Sequence, residues 1–299
     1  MAQGGSRTSS SPQPPFDINN FPFTFEHIHD TSCSFRIEPD TDPSLRTTHQ
    51  WDSDSITSSV EHYREENGRT YHAYNDGSWA FPNDTWELER LDWQFVCLKR
   101  LFNDKNYFAP FSHRRPPKRI LDLGTGTGMW AIEMAEEFES ATVVGTDLSP
   151  VQPDLVPPNM HFYVHDATNS LQTRMMLGAW EDFEQDVAHK AFAHLEHDGW
   201  FEAQELDPRL WCDDSSVPDD FAPKLLLQDL IECAEIEKRP LTLASTYKQG
   251  LINAGFVDVT EHVYKIPING WPKSKNWKTF GDLWNVNCLD GIQGFAMVI

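Results

Sequence analysis

Residues 119–130 read RILDLGTGTGMW and join an apolar run to three alternate glycines. The run Arg119–Leu123 is predicted to form a short strand, and residues 129–138 a helix with one apolar side. Gly124, Gly126 and Gly128 then lie where the strand turns into the helix. Glycine at such a turn permits positive φ and lets a ligand contact the backbone. The stretch therefore predicts an α/β unit with a ligand site at the end of its strand.

Strands and helices are predicted to alternate through the rest of the chain. Apolar runs of strand length occupy residues 141–146, 160–164 and 200–206, and a helical pattern covers residues 183–195. This alternation predicts a Rossmann-like α/β sandwich, with a mostly parallel central sheet and helices on both faces. Ligands in that architecture bind beyond the carboxyl ends of the strands.

The chain before this core divides into two regions. Residues 1–58 are rich in Ser, Thr, Pro and Asp and are expected to be largely disordered. Residues 59–115 are expected to form an N-terminal helical cap. Within them, Asp84 and Glu87 have the spacing of a helix start, and apolar residues from Leu88 to Phe102 recur at helical spacing. The predicted domain runs over residues 59–299, with residues 116–299 as its αβ core.

The composition argues against several functional classes. The 24 basic and 46 acidic residues give a formal charge of −22, which disfavours nucleic acid as a partner. The five cysteines are scattered without a CxxC pair, so a disulfide framework and a metal site are not expected. No apolar run has the length of a membrane span, and no signal peptide is recognised. A cytoplasmic protein is predicted, with the nucleus as the alternative compartment.

The charge around the glycine loop separates two classes of ligand. Dinucleotide sites use G-x-G-x-x-G, because the pyrophosphate rests on the helix N-terminus, but Met129 stands where the last glycine would be. No Lys or Arg lies between Ile120 and Phe138, whereas Asp122 directly precedes the loop. A ligand that carries an ammonium and a sulfonium suits these surroundings better. The loop therefore predicts S-adenosylmethionine, and a nicotinamide oxidoreductase is the disfavoured alternative.

Carboxylates follow three of the predicted strands. Asp122 ends the first, and Asp147 ends the second at a position suited to accept the two ribose hydroxyls. Asp166 follows the third strand and is expected to receive the adenine amino group. The competing interpretation makes these residues helix caps or turn residues of an ordinary αβ sandwich.

Several blocks resemble the fungal LaeA-like methyltransferases of secondary metabolism, a branch of the class I S-adenosylmethionine-dependent fold. They lie in order between residues 60 and 299 and read ENGRTYHAY (66–74), FPND (81–84), LDLGTGTG (121–128), GTDLSP (145–150), VPPN (156–159), TRMMLG (173–178), GWFEAQE (199–205), AGFVDV (254–259) and WPK (271–273).

The resemblance implies a set of residues that bind the methyl donor, namely Asp122, Gly124, Thr125, Gly126, Gly128, Asp147, Leu148, Asp166 and Ala167. The block at 66–74 resembles the segment that closes over the donor, with Tyr71 and His72 on the acceptor side or packed as an aromatic pair. His72 and Glu202 are the predicted catalytic residues, and Glu205 is also within reach. In the alternative interpretation, Glu202 and Glu205 have a structural role instead of a catalytic one.

Two departures from the family bear on activity. In the family, a strand that ends in a histidine lies between the adenine-binding acid and the TRMMLG block. Residues 166–173 leave no room for this strand, and Gln172 stands in the place of the histidine. Residues 200–206 are therefore expected to pair with Arg119–Leu123, or to leave buried backbone groups unpaired at about 1–3 kcal/mol each. The family pattern also continues into a helix and a last antiparallel strand that are not recognised here, so residues 294–299 are expected to form a makeshift strand or to fray.

The resemblance implies transfer of a methyl group to an oxygen, nitrogen or sulfur atom of a small molecule. A catalytically impaired relative that regulates secondary metabolism through protein partners is the alternative. No membrane partner is expected.

Overall fold

The computed structural model describes residues 63–72, 81–164, 173–214 and 216–296. The disorder predicted for residues 1–58 lies outside these ranges.

Seven strands form two sheets in the described part of the chain. An antiparallel hairpin comes first, and the other five strands form a parallel sheet in the order β5-β4-β3-β6-β7. The strands are β1 (Arg64–Glu66), β2 (Arg69–Tyr71), β3 (Arg119–Leu123), β4 (Thr142–Asp147), β5 (Met160–Val164), β6 (Thr173–Arg174) and β7 (Ala203–Gln204).

Helices connect and cover these strands. They are α1 (Thr85–Leu101), α2 (Met129–Glu137), α3 (His189–His194), which continues a π-helical turn at Glu184–Ala188, α4 (Ala222–Ile236), α5 (Tyr247–Ala254), which follows a 3-10 turn at Leu243–Thr246, and α6 (Lys275–Ala296). Within the described ranges, no helix combines the length and the apolar character that a membrane crossing needs.

Two apolar clusters lie on the two faces of the sheet. Because side chains alternate along a strand, Ile120 of β3 joins a cluster with residues of α2, such as Met134. Leu123 points the other way and packs in a second cluster with Phe183 and Tyr247. Helices therefore cover both faces of a parallel sheet, which confirms the predicted α/β fold.

The start of α1 is formed as its sequence predicts. Asp84 is the N-cap in extended conformation, and its Oδ1 accepts a hydrogen bond from the Glu87 amide at 3.0 Å. The Arg69 guanidinium also donates to the Asp84 carboxylate, which lowers the pKa of Asp84 against the effect of burial. The helix start is thereby tied to the β1–β2 hairpin.

The prediction for residues 200–206 is wrong in extent and in partner. Only Ala203–Gln204 forms a strand, and it pairs with β6 instead of β3. Strand β6 takes the place beside β3, where Leu123 is its registered partner. Only Leu123, at the carboxyl end of β3, is paired with β6, so a strand of two residues is long enough to fill this place. The sheet is thus continuous at the edge where the glycine loop begins.

The makeshift strand predicted at the end of the chain is also wrong for its described part, because residues 294–296 are the last turn of α6. Phe280, Leu283, Trp284 and Asn287 are buried and recur at helical spacing. This buried stripe favours continuation of the helix, which packs against α1. Residues 297–299 lie outside the described ranges.

A buried polar network sets the position of α6 on α1. The Arg90 guanidinium donates to both carboxylate oxygens of Glu87, at 3.0 and 2.6 Å, and to Gln94 at 3.0 Å. It also donates to Asn287 Oδ1 at 2.9 Å, and Asn287 Nδ2 donates to Gln94. Since all four side chains are buried, another register of α6 would leave polar groups without these partners.

We expect Asn287→Ala to lower the free energy of unfolding by about 2 kcal/mol, because it removes a buried hydrogen bond to a charged group. Chemical denaturation measures the change. Asn253→Ala is the matched control: Asn253 donates to the Glu184 carboxylate at 2.8 Å from an exposed position, so its loss should cost less than about 0.5 kcal/mol. Equal effects of the two variants would contradict the role assigned to the network.

Candidate functional site

The glycine loop joins β3 to α2 in a conformation that requires glycine. The φ angles of Gly124, Gly126 and Gly128 are 60°, 57° and 85°, in the left-handed region. A Cβ atom at Gly124 would lie 2.2 Å from Met176 Sδ, and one at Gly128 would lie 2.3 Å from Phe162 Cζ. The loop is thus held between these two side chains.

Gly126, at the middle of the loop, has more space around it. The nearest heavy atom to a Cβ at this position would be Leu91 Cδ1 at 3.9 Å, an ordinary contact distance. Its carbonyl oxygen accepts a hydrogen bond from Gln152 Nε2 at 2.7 Å. The loop is further fixed by a hydrogen bond from the Thr125 amide to the Thr146 carbonyl at 2.9 Å. Hydrogen bonds within the protein therefore fix the turn.

Asp122 lies beneath the loop and not at its surface. Its side chain is 1% exposed, and its Oδ2 accepts a hydrogen bond from Thr125 Oγ1 at 2.8 Å. The carboxylate therefore holds the loop from inside and adds negative charge to its surroundings.

Asp147, the last residue of β4, connects that strand to the glycine loop. Its Oδ2 accepts a hydrogen bond from the Gly126 amide at 2.8 Å, and its Oδ1 accepts one from the Ser149 amide at 3.0 Å. Loss of surrounding water raises the pKa of Asp147 to about 6, against the lowering effect of these hydrogen bonds. The negative charge of Asp122 raises this pKa further. Asp147 is therefore mostly ionised at neutral pH, with carboxylate lone pairs still available to a ligand.

The N-terminal hairpin lies against the end of β4. Thr70 Oγ1 donates to Asn83 Oδ1 at 2.9 Å, and Asn83 Nδ2 donates to Ser149 Oγ at 3.1 Å. Burial and the nearby charge of Asp147 raise the pKa of Tyr63, just before β1. This hairpin, which is predicted to close over the donor, thus lies near the Asp147 carboxylate at the end of β4.

Tyr71 and His72, predicted for the acceptor side, are each 3% exposed at the end of this hairpin. Leu148 directly follows Asp147, whereas Asp166 and Ala167 lie outside the described residues. Those two assignments stay predictions.

The two glutamates near β7 have different surroundings. Glu202 Oε2 accepts hydrogen bonds from the amides of Phe108 and Ala109 at 2.8 and 3.2 Å, and its Oε1 accepts one from Gln204 at 2.7 Å. These bonds anchor the segment after α1. Both carboxylate oxygens of Glu202 are thus engaged by the protein, and these hydrogen bonds do not involve the glycine loop.

Glu205 follows β7 at the carboxyl edge of the sheet. Its Oε1 accepts a hydrogen bond from the Leu206 amide at 2.9 Å, and its Oε2 accepts one from Tyr247 Oη at 3.3 Å. The Met176 amide also donates to this carboxylate. Because Met176 packs on Gly124, Glu205 is connected to the glycine loop through a single residue. Loss of water raises the pKa of Glu205 to about 7.

Four residues near the loop, Phe162, Met176, Trp180 and Tyr247, have no role that the sequence predicts. Phe162 and Met176 pack on the loop. Met176 also lies in a closely packed group with Trp180, Tyr247 and Glu205. The block at 173–178 marked the position of Met176, but only as part of a resemblance. No local pattern connects Tyr247 with residues more than 40 positions earlier in the chain.

Comparison with known proteins agrees with this geometry. Residues 94–261 match a family described as a methyltransferase domain. Methyltransferase pytC of Aspergillus terreus is 36% identical over 272 residues, which cover 87% of this chain and 82% of the relative.

Two further relatives extend the comparison. Secondary metabolism regulator LAE1 of Cochliobolus heterostrophus is 33% identical, over 77% of this chain and 79% of its own length. Protein-methionine methyltransferase laeA of Emericella nidulans is 30% identical, over 81% of this chain and 67% of its own length. The chain therefore belongs to the LaeA-like class I methyltransferases, enzymes that use S-adenosylmethionine.

Proposed function

We propose that this methyltransferase acts on an oxygen, nitrogen or sulfur atom of a small secondary metabolite. The observation that carries the proposal is the glycine loop whose Gly126 amide donates to the Asp147 carboxylate at 2.8 Å. This arrangement combines a close backbone approach with an ionised carboxylate at the carboxyl edge of a parallel sheet.

The described residues fit S-adenosylmethionine as the donor. Asp147 would accept the ribose hydroxyls beside Leu148, and Gly124, Thr125, Gly126 and Gly128 would surround the methionine part. Asp122, buried beneath the loop, would support it through its bond with Thr125 and contribute negative charge. Asp166 and Ala167 are proposed for the adenine. Bound there, the donor supplies an electrophilic methyl group on a sulfonium. Residues 120–138 contain no Lys or Arg, so the two nearby carboxylates favour a positively charged ligand.

Positioning accounts for most of the work of methyl transfer, because the methyl group is already activated. A base is needed only where the acceptor loses a proton. His72 is proposed for the acceptor side through its place in the closing hairpin. For Glu202 we propose a positioning role, because its carboxylate holds the segment at Phe108 and Ala109.

A small acceptor is favoured by the sequence blocks, such as ENGRTYHAY at 66–74 and TRMMLG at 173–178, that resemble the methyltransferases of secondary metabolism. The relative named as a protein-methionine methyltransferase makes a protein side chain the competing acceptor.

A catalytically impaired regulator that works through protein partners is the second candidate. It is favoured by the relatives named as secondary metabolism regulators and by the shortness of β6, which pairs with β3 at one registered residue. This candidate keeps donor binding but predicts no turnover.

Calorimetry and a turnover assay on the full chain separate these functions. We expect S-adenosylmethionine to bind with a Kd in the micromolar range, about −8 kcal/mol. Incubation with isotope-labelled donor and a fungal metabolite extract should give labelled small molecules by mass spectrometry. Donor binding with no labelled product would favour the regulator. Label found only in protein would favour the protein acceptor, and no donor binding would contradict both candidates.

A further inference from the structure

Helix α1 lies against the glycine loop as well as against α6. Leu91 Cδ1 is the nearest heavy atom to a Cβ position at Gly126, at 3.9 Å. The next residue, Asp92, accepts a hydrogen bond through Oδ1 from Thr127 Oγ1, and both residues are half-buried. Thr127 lies between the second and third glycines of the loop. A carboxylate of α1 is therefore bonded directly to the loop that is proposed to bind the donor.

Contacts before and after Asp92 along α1 fix the rotation of this helix. Arg90 is turned toward α6 and donates to Asn287 Oδ1 at 2.9 Å. Lys99 forms an ion pair with Glu133 of α2. Asp92 and Lys99 are separated by about two helical turns, so they lie on one side of α1. The helix is thus held with Asp92 facing α2 and the loop that precedes it.

Carboxylates of three different elements meet at the loop. Asp122 lies beneath it in β3, Asp147 ends β4, and Asp92 reaches it from α1. Asp147 is proposed for the ribose of the donor, and the loop itself for the methionine part. Since Asp92 is bonded to the loop at Thr127, the methionine part is the portion of the donor nearest to it.

The methionine part ends in an ammonium and a carboxylate, which need partners of opposite charge. A carboxylate such as that of Asp92 has about four lone-pair sites, so it can accept from an ammonium while it holds Thr127. The N-terminus of α2 suits the donor carboxylate, because no side-chain hydrogen bond caps this helix at Gly128. Both charged groups of the donor would thus meet complementary groups beside the loop.

We propose that Asp92 binds the α-ammonium of S-adenosylmethionine, while its bond to Thr127 keeps it against the loop. This inference rests on the proposed function, because it assigns a further residue to the donor site. It makes α1, a helix of the N-terminal cap, responsible for a preference for donors with an intact amino group. The competing role for Asp92 is support of the loop through Thr127 alone.

The first test compares S-adenosylhomocysteine with its desamino analogue, in which hydrogen replaces the α-amino group. Calorimetry on the full wild-type chain should show that the analogue binds about 10- to 100-fold more weakly, because it lacks a hydrogen bond between charged groups. Equal binding of the two compounds would show that the site does not recognise the ammonium, and would overturn the inference.

Two variants separate recognition of the ammonium from support of the loop. Asp92→Asn removes the charge but keeps an oxygen that accepts from Thr127. It should weaken S-adenosylhomocysteine by about tenfold or more and bind the desamino analogue at least as tightly as the wild type does. Thr127→Val removes the bond to the loop and keeps the carboxylate, so it should change the Kd of both compounds by the same factor. If Asp92→Asn changes both compounds equally, or neither, Asp92 does not bind the ammonium.

Glu89→Gln is the matched control for the loss of one negative charge. Glu89 is an exposed residue of α1, three positions before Asp92, and its replacement should change the Kd of both compounds by less than about twofold. A loss of affinity equal to that of Asp92→Asn would assign the effect to the overall charge of the helix and contradict the role of Asp92.

Donor binding by the wild type separates this inference from the proposed function. If the wild type binds neither S-adenosylmethionine nor S-adenosylhomocysteine, the proposed function itself is contradicted. If it binds both and binds the desamino analogue equally well, only the role of Asp92 is contradicted. Should Asp92→Asn fail to fold, Asp92→Glu keeps the charge and moves the carboxylate by one methylene. The preference for the amino group should then be smaller than in the wild type, and an unchanged preference would overturn the inference.

Discussion

Replacement of Asp147 by Ala is expected to weaken S-adenosylmethionine binding by at least about 100-fold. The substitution removes a carboxylate that is proposed to accept both ribose hydroxyls, and a hydrogen bond to a charged group contributes about 1.5–3 kcal/mol. It also releases the Gly126 and Ser149 amides, which now donate to that carboxylate at 2.8 and 3.0 Å. Calorimetry on the full chain measures the change in Kd.

The pH dependence of donor binding offers a second measurement on Asp147. Because its pKa is about 6, donor affinity should fall as the pH is lowered through that value and the carboxylate becomes protonated. Asp154→Ala, at an exposed position in the following loop, is the control and should change Kd by less than about twofold. Donor binding by Asp147→Ala at the wild-type Kd would exclude the proposed ribose site.

Loss of binding by the Asp147 variant should not come from unfolding. The pKa of Asp147 is raised in the folded chain, so its contribution to stability is fully present below its unfolded pKa near 4 and is lost as the pH rises through about 6. At neutral pH the ionised side chain therefore opposes folding. Asp147→Asn removes the charge at similar volume, but its NH2 group replaces one of the two oxygens that accept from the Gly126 and Ser149 amides. The two effects oppose each other, so the thermal midpoint should stay within about 5 °C of the wild type.

Gly128→Ala is expected to lower the free energy of unfolding by about 3–4 kcal/mol. An alanine at a φ of 85° costs about 1–2 kcal/mol. Its Cβ would also lie 2.3 Å from Phe162 Cζ and 2.9 Å from Phe162 Cε1, so the ring must move within a packed cluster, at about 1–3 kcal/mol. Urea denaturation followed by circular dichroism gives the difference.

Gly68→Ala separates the two contributions. Gly68 has a φ of 77°, but no heavy atom lies within 4 Å of its Cβ position, so only the backbone cost of about 1–2 kcal/mol should remain. Phe162→Leu combined with Gly128→Ala should cost less than the sum of the two single changes, since the smaller side chain relieves the contact. Equal destabilisation by Gly68→Ala and Gly128→Ala would show that Phe162 does not constrain the loop.

Local features of the fold were predictable because they depend on neighbouring residues. The cap at Asp84 needs only the amide three positions later, and the turn from β3 into α2 needs only residues that tolerate positive φ. Asp147 ends β4 and reaches the loop because neighbouring parallel strands end at the same edge of the sheet. These predictions required no knowledge of distant pairings.

The pairing of β6 with β3 could not be predicted in the same way. Two-residue strands carry no periodic signal, so residues 173–174 and 203–204 are recognisable only once they pair. The distinction between Glu202 and Glu205 follows from that pairing, because it sets which glutamate meets Phe108 and which meets Met176. The helix at the end of the chain likewise depends on its buried contacts with α1.

By itself, the sequence determined a strand–glycine–helix unit of the α/β class and the acidic character of its ligand site, because both arise from backbone sterics and charge within a few residues. Only the tertiary structure decided that β6 fills the place beside β3, and that Glu205, Trp180 and Tyr247 pack together. The physical reason is that these contacts join short segments far apart in the chain. Packing and hydrogen bonding of the whole domain select such contacts, and local preference does not.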